Sequence, residues 1–168
     1  GYLSKKPNFD GVICLPGTHT KWVHISAGEI ISFRTFMTGE IFQLLSEYSI
    51  LKNSVKSDKI DTGSFLQAFE DTYSNPALLS SKLFGIRATD LLENISTKLL
   101  KAKLSGYLIG SELAGSKSYW LGRDIVMIGN DNLCVLYEKA LKKLGLNISL
   151  ENTQDITLNG LKQAYFNR

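Results

Sequence analysis

The sequence has only two cysteines, Cys14 and Cys134, and no Cys-X-X-Cys spacing. That excludes a disulfide-stapled scaffold. The only histidines are His19 and His24, so no Cys/His set at zinc-site spacing is present and no metal site is expected. Both cysteines lie in apolar segments and are expected to be buried free thiols, which suits a reducing cytoplasm. No apolar run approaches the ~20 residues of a membrane-spanning helix, so no membrane is expected as a partner. The stretch Gly1–Pro7 lacks the apolar core of a secretory signal. Gly1 stands where an initiator methionine would be, so the chain is expected to be a piece of a longer protein. A dominant charge is lacking too. Nineteen Lys and Arg face sixteen Asp and Glu, and the lysines are scattered apart from Lys5-Lys6 and Lys142-Lys143. That is a solvated surface rather than a nucleic-acid stripe, so no nucleic acid is expected either. The length suits one domain able to bury a real core.

What is present centres on Gly11–Gly39. Val12–Leu15 is a short apolar run, as in a buried strand. Pro16 and Gly17 stop it. Trp22–Ile25 makes a second strand, Ala27-Gly28 a tight turn, and Ile30–Phe36 a third strand. Strict alternation would put Ile31, Phe33 and Thr35 on one face of that strand, and Ile30, Ser32, Arg34 and Phe36 on the other. The first turn of this antiparallel meander is Gly17-Thr18-His19-Thr20-Lys21. A flexible glycine, two hydroxyls, free backbone donors and a cation are the parts of a phosphate cradle. They are equally the parts of an ordinary polar hairpin loop.

Helical signals follow. Thr38 is placed to cap a helix carrying Ile41, Leu44, Leu45, Tyr48 and Leu51. Ser64 is placed to cap another with Phe65, Leu66, Phe69 and Tyr73. Asn75-Pro76 starts a third, which Gly85 is expected to end, with Ala88 to Ile95 resuming in register. These helices read as an insertion over about 53–95. Leu99–Ala114 is a long helix in which Gly106 and Gly110 lie four apart, a spacing that lets another backbone come close. Helix–sheet packing and ligand contact both fit Gly110, and Glu112 reads as an exposed charge. Asp124–Ile128 is a strand ending in Gly129-Asn130-Asp131-Asn132. A helix through Leu144 follows, then a strand at Asn147–Leu150 and a last helix at Ile156–Phe166. The order is mixed α/β, an antiparallel meander continued by parallel crossovers. Ligands of such sheets lie beyond the carboxyl ends of the parallel strands. Gly129 at such an end would let a nucleoside or phosphate approach the backbone, beside a helix start with free N–H groups. Asp131 is placed either as a base or as a helix cap.

Leu15-Pro16-Gly17-Thr18-His19-Thr20-Lys21-Trp22-Val23, followed by Phe36-Met37-Thr38-Gly39-Glu40-Ile41-Phe42, resembles the 2-dehydro-3-deoxygalactonokinases. So do Leu83-Phe84-Gly85-Ile86-Arg87-Ala88 and Tyr107-Leu108-Ile109-Gly110-Ser111-Glu112-Leu113. The resemblance implies the actin and hexokinase fold of two ribonuclease H-like domains with ATP between them. Residues 1–168 look like a single C-terminal-type domain of that pair. No Asp-X-Gly strand-turn of a first domain is present.

The activity implied is ATP-dependent phosphorylation of 2-dehydro-3-deoxy-D-galactonate to its 6-phosphate, with Mg²⁺ bridging the phosphates. Gly17, Thr18, His19, Thr20 and Lys21 would bind phosphate. Gly110, Gly129, Asn130 and Asp131 would border the nucleotide. His19 fits either a hydrogen bond to phosphate or an inward-facing structural role. The catalytic residues are expected in the absent N-terminal kinase domain, a partner along with the sugar acid, so this chain by itself is expected to be inactive. A homodimer covering the docking face is a further expectation. The alternative is a non-catalytic nucleotide-binding or regulatory module of the same fold. A ribonuclease H-type nuclease is disfavoured, because the meander offers only Glu29 where converging carboxylates are needed.

Overall fold

The computed structural model describes residues 1–166. In chain order the elements are α1 (Tyr2–Lys5), β1 (Gly11–Leu15), β2 (Thr20–Ser26), β3 (Glu29–Phe36), α2 (Thr38–Tyr48), α3 (Thr62–Ser74), a 3-10 turn (Pro76–Leu78), α4 (Leu79–Glu93), α5 (Thr97–Gly115), α6 (Lys117–Trp120), β4 (Ile125–Ile128), α7 (Asp131–Lys143), β5 (Ile148–Glu151) and α8 (Thr153–Phe166). They fall into two compact units. One holds residues 1–36 together with 118 onward, the other residues 37–117. The insertion expected at 53–95 lies inside the second unit, which also takes in α2 and α5.

The first unit carries a five-stranded sheet in the order β3-β2-β1-β4-β5. The β1–β2 and β2–β3 pairs are antiparallel, and β1–β4 and β4–β5 are parallel. This is the ribonuclease H-like order expected from the sequence. The central strands β1 and β4 are almost wholly buried, which accounts for their unbroken apolar runs. On one face Ile13, Ile25, Val126 and Ile128 pack with Tyr2, Leu3 and Phe9 from the N-terminal segment and Ile156 of α8. Burying each large apolar side chain there stabilises the unit by roughly 1.5–3 kcal/mol. On the other face Val12, Cys14, Trp22, Ile125 and Met127 are buried. Both cysteines are free and buried, as expected.

The turn between β2 and β3 has positive φ at both Ala27 (51°) and Gly28 (80°), the paired left-handed geometry that matches strand twist in two-residue hairpins. The register then shifts, because Ser32 faces His24 while Ile30 faces Ile25. Ile31 is therefore an extra residue, a β-bulge. Strict alternation fails here. Val23 and Ile25 share a face of β2, so their partners Phe33 and Ile30 share a face too, which corrects the expected split.

In the second unit α3 and α5 touch backbone to backbone. A methyl at Gly106 would strike the Phe65 carbonyl oxygen and Ala68, and one at Gly110 would strike the Phe69 carbonyl oxygen and the Thr72 hydroxyl. The glycine spacing thus serves helix–helix packing, not the helix–sheet packing expected. Thr72 Oγ1 donates to the Tyr107 carbonyl at 2.8 Å across this contact. Leu51, Val55, Ala68, Ile86, Leu100 and Leu104 lie in the surrounding core.

Several helix ends depart from expectation. Thr38 is the first helical residue of α2 and makes no capping bond. Asp61, not Ser64, caps α3 by accepting from the Ser64 N–H at 2.8 Å, and that bond holds its carboxyl below the usual carboxylate range. Helix α4 runs straight through Gly85 and stops at Asn94, which is left-handed (φ 47°). A mid-helix glycine costs only ~1 kcal/mol, and the packing of Leu79, Leu83 and Ile86 on either side overrides it. The Arg87 of the family motif pairs with Asp90 at 3.1 Å, and Asp90 accepts from buried Ser54 at 2.7 Å.

Candidate functional site

At the carboxyl end of β1 the chain passes through buried Pro16 and half-buried Gly17. Thr18 and His19 are exposed, and the chain then dives back in at Thr20. Thr20 is fully buried. Its hydroxyl lies 3.0 Å from the Tyr137 hydroxyl of α7, so it faces the interior and anchors the turn rather than lining its surface. His19 is exposed rather than turned inward. Lys21 Nζ donates to the His19 carbonyl at 3.2 Å, folding the cation back over its own turn. The surface of the turn is therefore Gly17, the Thr18 hydroxyl and the Lys21 ammonium at the rim.

Gly129 follows β4. The space its side chain would fill belongs to Pro16, whose carbonyl oxygen would be 2.9 Å away, and to Cys134 Sγ at 3.1 Å. Protein packing, rather than the approach of a ligand, requires this glycine. The same contact brings the Gly129 turn against the residue that opens the Gly17 turn. Both lie at the carboxyl ends of neighbouring parallel strands, where open α/β sheets bind their ligands. Asn130 caps α7, its Oδ1 accepting from the Asn132 N–H at 3.0 Å. Asp131 is the first helical residue and exposed, so it is not the cap. Thr153 Oγ1 donates to the Gly129 carbonyl at 2.9 Å, tying the start of α8 to the turn. Burial, then the nearby Asp131 and Glu138 carboxylates, push the Cys134 thiol above its ordinary range.

Gly110 belongs to the second unit, where the contact with α3 accounts for it. Glu112 on the same helix is only 3% exposed, not the surface charge expected. A carboxylate flanked by apolar residues in an otherwise buried stretch is the signal that marks it. Among the described residues no group of three or more His, Cys, Asp or Glu is placed to hold a metal. No described helix is long and apolar enough to cross a membrane.

Comparison with known proteins decides the family. Residues 1–164 match the family model of the 2-keto-3-deoxy-galactonokinases. The chain belongs to that family. It is 37% identical over 157 residues to the probable 2-dehydro-3-deoxygalactonokinase DgoK1 of Rhizobium meliloti (strain 1021), covering 91% of this chain and 51% of that protein. It is 31% identical over 136 residues to the 2-dehydro-3-deoxygalactonokinase of Escherichia coli (strain K12), covering 80% of this chain and 46% of that one. The chain thus spans about half the length of the curated relatives it matches. A solved protein of Sinorhizobium meliloti, provisionally described as a 2-dehydro-3-deoxygalactonokinase, superposes with a TM-score of 0.88 at 34% identity. That match covers 96% of this chain and 56% of the other. The Leu15–Val23 and Phe36–Phe42 motifs lie within the family match, and the first of them forms the Gly17 turn.

Proposed function

We propose that this chain supplies the nucleotide-binding half of a kinase acting on 2-dehydro-3-deoxy-D-galactonate. The observation that carries the reading is the meeting of the Gly17 and Gly129 turns, through Pro16, at the carboxyl end of β1 and β4. The Gly17 turn suits phosphate. An added methyl at Gly17 would meet nothing within 4 Å, so an oxyanion has room to approach the backbone there. Thr18 adds a hydroxyl, and Lys21 adds charge once it leaves the His19 carbonyl. Thr20 and Tyr137 hold the turn in place, and such preorganisation is most of what a phosphoryl-transfer enzyme contributes. Asn130 and Asp131 would border the nucleoside beside the first turn of α7.

In the reaction the γ-phosphorus of ATP forms a bond to the 6-hydroxyl oxygen of the sugar acid. The bond to the β–γ bridging oxygen breaks, ADP leaves, and the hydroxyl proton passes to a base. That base belongs to the N-terminal kinase domain, with which this chain would share the sugar acid. Mg²⁺ would bridge the nucleotide phosphates and neutralise charge there. The whole enzyme would work in the cytoplasm, and this half alone would self-associate, as a homodimer, over the face that its partner domain covers.

The test is ATP-dependent phosphorylation of 2-dehydro-3-deoxy-D-galactonate by residues 1–168 and by a version extended upstream. Turnover is expected only from the longer chain. Turnover by the short chain at the same rate would sink the half-site reading, and turnover by neither would favour the non-catalytic module. Within the longer chain, Thr18→Ala should weaken ATP binding while leaving the unfolding midpoint in place.

A further inference from the structure

A polar cleft of about 240 Å³ opens on the first unit, lined by His24, Ser32, Arg34, Ser118, Tyr119 and Arg123. None of the described residues that line it is a carboxylate. His24 and Ser32 are register partners, and Arg34 pairs with Trp22 two places along, so the three side chains share one face of the sheet. Tyr119 and Arg123 come from α6 and the turn that follows it. Arg123 is half-buried, and its Nη1 donates to the carbonyls of Ser118 at 2.8 Å and Tyr119 at 2.7 Å. Those two bonds fix the guanidinium, while its Nε and Nη2 donors have no protein partner among the described residues. The His24 ring and the hydroxyls of Ser32, Ser118 and Tyr119 are likewise without a protein partner there. Arg34 lies with its guanidinium 5.6 Å from the centre of the Tyr119 ring, which restrains its plane. Arg34 has a further interaction of its own, so Arg123 is the principal cation of the cleft.

The place of this cleft separates it from the Gly17 turn. Arg123 precedes β4, whereas Gly129 follows it. His24 lies four residues along β2 from Thr20, about 13 Å at the strand rise of ~3.3 Å per residue.

We propose that this cleft binds a small oxyanion, a carboxylate or a phosphate group. The free edge of the Arg123 guanidinium would make the two-pronged contact, and His24 and the hydroxyls would complete the donor shell. The volume lies below the ~300 Å³ at which drug-sized pockets begin, so the occupant is a single anionic group on a short carbon chain, or the free ion.

The experiment titrates the isotope-labelled full chain with inorganic phosphate and, separately, with glycerate, at constant ionic strength maintained with chloride. Saturable NMR shifts at Ser32, Tyr119 and Arg123 are expected, and the tighter-binding arm identifies the group. Arg123→Gln should weaken binding at least about tenfold. Because Arg123 also holds two carbonyls, a double variant, His24→Gln with Ser32→Ala, gives a second reading that leaves those carbonyls alone, and it should weaken binding too. Shifts confined to Gly17–Lys21 would overturn the proposal. So would shifts that rise without saturation for both anions, or unchanged affinity in both variants.

Discussion

Two glycine turns meet at the carboxyl end of the sheet, and they contain glycine for opposite reasons. At Gly129 any side chain would run into the Pro16 carbonyl and the Cys134 sulfur. At Gly17 the same added methyl would meet open space. A substitution at Gly129 is therefore first a packing experiment, whatever it does to nucleotide. Binding can be probed without disturbing the core at Gly17 and Thr18. The two look alike in sequence because a glycine after a strand records only that a side chain is missing, not what stands in its place.

The strongest test of the packing explanation lies where backbones touch most closely. Gly110→Val should destabilise the chain by about 3 kcal/mol or more in urea unfolding, since the new side chain would meet α3 backbone at Phe69 and Tyr73 and the Thr72 hydroxyl, which is held by its bond to the Tyr107 carbonyl. A near-neutral result would break the argument for all the packed glycines. Gly129→Val comes next, at about 2–3 kcal/mol. It carries a second readout, because Cys134 lines the contact. In the parent chain burial keeps that thiol protonated, so alkylation should be slow at pH 8 and should rise only at a pH above that of a free cysteine. The variant should alkylate faster, as followed by mass spectrometry of the Cys134 peptide. Thr20→Val should cost about 1–2 kcal/mol by removing the buried hydrogen bond between the Thr20 and Tyr137 hydroxyls, and Thr20→Ser should recover most of it. A Thr20→Val chain of unchanged stability would return Thr20 to the list of ligand contacts. Gly17→Ala should move the unfolding free energy by no more than ~0.5 kcal/mol. A large loss there would erase the contrast between the two turns.

The strand order and the parallel continuation were legible because each depends on a local pattern: apolar runs, turn residues and helical spacing. Phe33 and Ile30 were assigned to opposite faces because a bulge obeys register with a partner strand, which alternation along one strand does not reveal. Gly85 looked like a stop because propensity is a local quantity, whereas the packing of Leu83 and Ile86 is not. The site was legible as a place and less so in its roles. The Gly17 and Gly129 turns do come together, but the inward hydroxyl of Thr20 depends on Tyr137, 117 residues away. Gly110 carried the same ambiguity. Its spacing announced a close approach, and only the fold could say that α3 makes it.

The bulge at Ile31 has a bearing on solubility. β3 is the outer strand of the sheet and eight residues long. Ile30 and Phe33 are each 63% exposed and Ile31 is 55% exposed. A straight outer strand of that length and composition is a template on which further chains add by hydrogen bonding, the first step towards fibrillar aggregates. One extra residue in its first half breaks the even spacing of outward N–H and C=O groups and sharpens the local twist. A second chain can match the strand before the interruption or after it, but not across it, and neither short stretch makes a stable two-stranded pairing by itself. Removing Ile31 would straighten the strand and restore the template, so aggregation should then increase even while the folded core remains intact.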